Sequence, residues 1–137
     1  MGKAKVIFRS NVGGSEFSGT YFGVLKRNDV GFTLSYSENS EDGMINAYYS
    51  FDGHKLFVGR EGNNLKSEYV FDKWTETSGF VVTGYGEIPL SVFTNSLSVE
   101  DKGGSVMIKA DYVATVAGNE SNSTMTVLIK CEGDSAM

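Results

Sequence analysis

Residues 103–131 read GGSVMIKADYVATVAGNESNSTMTVLIKC, and this stretch decides the fold. After Gly103-Gly104, the residues Val106, Ile108, Ala110, Tyr112, Ala114 and Val116 share one face of an extended chain. Ser105, Lys109, Asp111 and Thr115 share the other. A β-strand sends successive side chains to opposite faces, so a strand with one buried and one wet face reads this way. Met107 and Val113 are apolar exceptions on the wet face. The pattern returns in Met125, Val127, Ile129 and Cys131, with Thr124, Thr126 and Lys130 opposite. Residues 117–123 between the two runs, Ala-Gly-Asn-Glu-Ser-Asn-Ser, are polar and predict a turn, so the stretch predicts a hairpin.

Working outward, the same alternation recurs. Val30, Phe32, Leu34 and Tyr36 make one strand, followed by an acidic loop from Glu38 to Gly43. Ile45, Ala47, Tyr49 and Phe51 make the next, and Asp52-Gly53 is a two-residue hairpin signal. Leu56, Val58 and Arg60 lead to a turn at Glu61-Gly62-Asn63-Asn64, then to Leu65, Ser67, Tyr69 and Phe71. Ile88, Leu90, Val92 and Thr94 form a strand carried on by Leu97 and Val99. At the front, Val6 and Phe8 mark a first strand. Phe17, Tyr21 and Leu25 mark a second, with Gly19 and Gly23 on the same face, where small residues allow close packing at a barrel corner. No window carries a helical period. The expectation is an all-β single domain over residues 1–137. It is a closed or nearly closed antiparallel up-and-down barrel of about eight to ten strands, since a meander of that length leaves bare edges unless it closes.

Composition bounds the function. A chain of 137 residues buries roughly two-thirds of its unfolded surface and needs no disulfide or metal to fold. The net charge of −5 argues against nucleic acid as a partner. No long apolar segment points to a membrane, and a reducing cytoplasm is the expected location. The lone Cys131 cannot form an internal disulfide. A monomer or homodimer is expected.

Few residues carry legible chemistry. The single histidine, His54, reads as a solvated turn residue with no partner signposted for general-base work. Cys131 falls in phase with the core face and reads as an inert thiol. Glu38, Glu41 and Asp42, like Glu100 and Asp101, read as solvated loops and not as calcium ligands, which repeat at alternate positions. Trp74 reads first as a plug for one barrel end and second as part of an exposed binding patch. No catalytic residue, metal site or cofactor is expected, and so no enzyme.

What remains is the inward face. Tyr36, Tyr49, Tyr69 and Tyr112 all fall in phase with apolar neighbours, and so does Arg60. A buried tyrosine hydroxyl wants a partner, and an inward arginine must be paired or wet. Two uses stay open. The tyrosines fill the core with hydroxyls reaching the barrel mouth, or they line a small cavity. Arg60 hooks the anionic end of a ligand, or it pairs with Glu68 or another carboxylate. A small, partly apolar or anionic ligand in the interior is one reading; a solid-cored structural or interaction module, with Met44, Phe57 or Phe93 as contact surface, is the other.

From Leu56 to Glu132 the chain resembles the bacterial family catalogued as domain of unknown function 1934, the YwiB-like proteins. The resemblance rests on Arg60-Glu61-Gly62 after a hydrophobic strand, then Glu68-Tyr69-Val70-Phe71, then Thr83-Gly84-Tyr85-Gly86. Thr94 with Leu97, the Gly103-Gly104 turn and the strand containing Tyr112 complete it. Gly84 stands where the family usually has Pro, and Val81 where an aromatic is common. The resemblance implies a calycin-like, lipocalin-type barrel and carries over no activity. Barrels of that type often bind small apolar molecules, though a fold alone does not give a function.

Overall fold

The computed structural model describes residues 2–40 and 43–132. Among them every regular element is a strand. In order these are β1 (Gly2–Val12), β2 (Ser15–Arg27), β3 (Phe32–Ser40), β4 (Gly43–Phe51) and β5 (Lys55–Gly62). Then come β6 (Leu65–Asp72), β7 (Glu76–Thr83), β8 (Gly86–Asp101), β9 (Ser105–Val116) and β10 (Asn119–Cys131). Each strand pairs antiparallel with its neighbours in sequence, and β1 pairs with β10 from Ala4↔Cys131 to Val12↔Ser123, which closes the barrel. Closure satisfies backbone groups that an open meander would leave bare. The expected fold is therefore the observed one. Among the described residues, no helix is long and apolar enough to cross a membrane.

The alternating faces land as expected. Phe32, Leu34, Leu56, Phe71, Ile108 and Ile129 are fully buried and pack one half of the barrel. The strand from Ile88 keeps its phase to Thr94, then a bulge at Asn95 shifts the register, so that Thr94 opposes Tyr112 and Leu97 opposes Ala110. A bulge puts two residues opposite one. That is why the inward positions pass from Val92 and Thr94 to Leu97 and Val99.

Several local expectations need correction. The polar run 117–123 is not a loop: the turn is only Ala117-Gly118, both at positive φ (52° and 81°), and Val116 already pairs with Asn119. Two left-handed residues are what the tightest hairpin turn needs. Ser121 and Ser123 are strand residues whose inward face is polar, so the alternation fades where the strand does not. The acidic loop likewise shrinks, because Glu38 lies within β3, while Glu41 and Asp42 fall outside the described residues. Val30 is exposed in the turn before β3. The β4–β5 turn centres on Gly53-His54, one residue late, with the Asp52 carboxylate accepting from both the His54 and Lys55 amides. Strand β7 carried no alternation signal, since Phe80 and Val82 face outward while Gly79 faces in. Trp74 is no plug: it turns outward, 68% exposed, from a backbone held at φ 65° in the β6–β7 turn.

Candidate functional site

Inward residues near the Cys131 end of the barrel are apolar, and those near the opposite mouth are polar or aromatic. Register explains what meets there. Tyr36 of β3 stands beside Gly23 of β2 on one side and Ala47 of β4 on the other. The space beside Gly23 lets the Tyr21 ring stack on Tyr36, with centroids 4.9 Å apart and planes 9° from parallel. Tyr36 and Tyr49 share a hydroxyl–hydroxyl hydrogen bond of 2.9 Å, and their rings lie 5.8 Å apart. Across the barrel, Tyr69 packs edge-on to Phe71, and Phe71 packs against Tyr112 at 4.7 Å.

Between these two aromatic groups sits Arg60. It follows Ala47 in the ladder, and that small residue leaves room for its side chain to cross β4 to Glu38 of β3. Arg60 Nη2 donates to both Glu38 oxygens at 2.7 Å, and Nε donates to Oε2 at 3.1 Å. The Glu38 side chain is only 12% exposed and that of Arg60 36%. The carboxylate that pairs with Arg60 is thus Glu38 and not Glu68, which sits opposite Gly59 on the outward face.

These tyrosines resist ionisation. Burial pushes Tyr36 up to about 12, against the opposing effect of its bond with Tyr49. Tyr49 lies well above the ordinary phenol value of 10.0, first through burial and then through the neighbouring Tyr36. Burial also raises Tyr69 and Tyr112. Tyr21 is raised by burial and by the adjacent Glu38 charge. Burial alone would lower Arg60, but the bonds and charge of Glu38 outweigh it and the net shift is upward. Groups held protonated in the fold but ionised in the unfolded chain make stability fall as pH rises. Stability is therefore expected to be full below the ordinary phenol value of 10.0 and to decline toward about 12 for Tyr36. Each pH unit in that window removes about 1.4 kcal/mol per such tyrosine. Urea unfolding at a series of alkaline pH values, with tyrosinate absorbance followed in parallel, checks it; a flat stability profile would refute it.

Above this layer lies an open cavity of about 590 Å³. Arg60, Tyr69, Tyr112, Tyr21 and Glu38 line it with Phe8, Phe17, Met125 and Ser10, and Glu16 stands at its edge. Of the residues expected from the sequence, Arg60, Tyr69 and Tyr112 reach the cavity, while Tyr36 and Tyr49 lie buried beneath it. Tyr21 and Glu38 were missed as site residues. The signal for Glu38 was present, since Leu34, Tyr36 and Glu38 continue one alternation.

Elsewhere, His54 Nε2 approaches Asp72 Oδ1 at 3.2 Å, a partner that spacing did not suggest, although the ring is 72% exposed. Cys131 is half-buried, not sealed in the core, and its Sγ lies 3.8 Å from Arg27 Nη2. Arg27 is itself paired with Asp101 at 2.8 Å. Among the described residues, no group of three or more His, Cys, Asp or Glu side chains is placed to hold a metal ion.

The sequence model of the family described as Domain of unknown function (DUF1934) matches residues 5–129. The crystal structure of the ywiB protein from Bacillus subtilis superposes with a TM-score of 0.78 at 21% identity, over 96% of this chain and 93% of that one. At that identity the likeness speaks for the fold. No curated protein matches the chain.

Proposed function

The chain belongs to the family of domain of unknown function 1934, and from that premise we propose that it is a binding protein for a small, partly apolar molecule held in the barrel mouth. The observation that carries this reading is the cavity of about 590 Å³, whose wall combines Phe8, Phe17 and Met125 with polar groups that include Arg60, Glu38, Tyr69, Tyr112 and Ser10. Ligand sites are concave and orient their ligand with a few placed polar groups. Ten strands also make a wider barrel than eight, the number at which side chains just fill the interior.

The neutral fluorophore N-phenyl-1-naphthylamine tests the reading. Its fluorescence should rise saturably on titration with the protein. Ser10→Trp, which places an indole in the cavity, should weaken that binding about tenfold or more while the protein stays folded. No saturable rise, or a rise that Ser10→Trp leaves unchanged, would refute it.

A further inference from the structure

Resting on the binding reading above, we infer that the ligand's polar end is a neutral hydrogen-bond acceptor, a carbonyl-type oxygen such as that of an amide or ketone, and not a carboxylate. An inward arginine suggests an anion hook on its own, but here its charge is already met. Glu38 holds Arg60 through both Nε and Nη2. An entering anion would share Arg60 with Glu38, face that like charge at close range, and give up its water for a pair with no net charge. A cation would instead have to break a bidentate pair to reach Glu38, among the stronger contacts a protein makes.

What the wall still offers is donors. Arg60 Nη1 lies outside the Glu38 pair and carries two N–H groups. Tyr69 and Tyr112 also line the cavity, the Tyr112 hydroxyl with Ser123 beside it. Burial keeps both phenols protonated. Donors thus come from β5, β6 and β9 toward a space that Phe8, Phe17 and Met125 also line. A carbonyl oxygen accepts from them without disturbing the ion pair, and its apolar body covers the rings.

Displacement of N-phenyl-1-naphthylamine by three molecules of one shape tests this: 2-naphthamide, 2-naphthoate and 2-naphthylmethylammonium. The amide should displace the fluorophore at a concentration about tenfold or more below either charged analogue. In Glu38→Gln, which removes the charge with little change of shape, 2-naphthoate should gain about tenfold, because Arg60 is then uncompensated. If that variant does not fold, the wild-type ranking alone decides. Equal or tighter binding of 2-naphthoate or of the ammonium to the wild type overturns the inference and leaves the binding site standing. Failure of the fluorophore itself to bind overturns the site and the inference together.

Discussion

Gly23→Ala is expected to lose about 3 kcal/mol of stability in urea unfolding, although an alanine in a strand ordinarily improves on glycine. A Cβ at position 23 would overlap the Ser35 carbonyl oxygen and lie 2.8 Å from Tyr36 Cβ. Backbone cannot rotate aside as a side chain can, so β2 and β3 must part. They can least tolerate that here: the β2–β3 ladder runs only from Gly23↔Tyr36 to Arg27↔Phe32. The clash falls at its mouth end, under the Tyr21–Tyr36 stack, so the variant should also loosen the cavity wall. Gly84→Ala is the control, because no atom lies within 4 Å of its Cβ. It should stay within about 0.5 kcal/mol of wild type, as surface changes do. A Gly23→Ala protein as stable as wild type would mean that the two strands do not approach as described.

The second large effect concerns Glu38 and Arg60. Glu38→Leu leaves a guanidinium at the barrel mouth without its counter-charge, and Arg60→Leu strands a carboxylate that is only 12% exposed. Removing one partner of a fully buried pair costs about 3–5 kcal/mol. The Arg60 side chain is 36% exposed, so water screens part of that, and about 2 kcal/mol is expected for each single variant. Glu38→Leu/Arg60→Leu should recover much of the loss, because two apolar side chains leave no charge unmet. The four proteins form a double-mutant cycle whose coupling energy should be about 1.5 kcal/mol or more. Additive single effects, with no recovery in the double variant, would show that the two residues do not act as a pair.

Residues that take their orientation from the strand alone were legible. Tyr36, Tyr49, Tyr69, Tyr112 and Arg60 face inward because a pleated strand puts every second residue on one side, which needs no knowledge of the rest of the chain. Glu38 escaped this reading because an acidic cluster beside glycine looks like a loop, and Ser121 and Ser123 because serines in a row look like a turn. Both signs mislead for one reason. The strands run on into a mouth whose interior is polar, and there the inward face no longer differs from the outward one in hydropathy. Strand β7 was hidden for the opposite reason, with Phe80 and Val82 apolar on the outer face and Gly79 inside.

The sequence by itself determined the strand class, the meander order and most of the inward set, since alternation acts over a few residues. The tertiary structure alone decided that β1 closes on β10, that Asn95 bulges, that Glu38 meets Arg60 and that the mouth is hollow. Each of these depends on how many strands share one circumference and how far each is staggered, and strand number and stagger set the width of a barrel. Whether inward tyrosines fill a core or border a cavity is a question of that width, and no local pattern of residues encodes it.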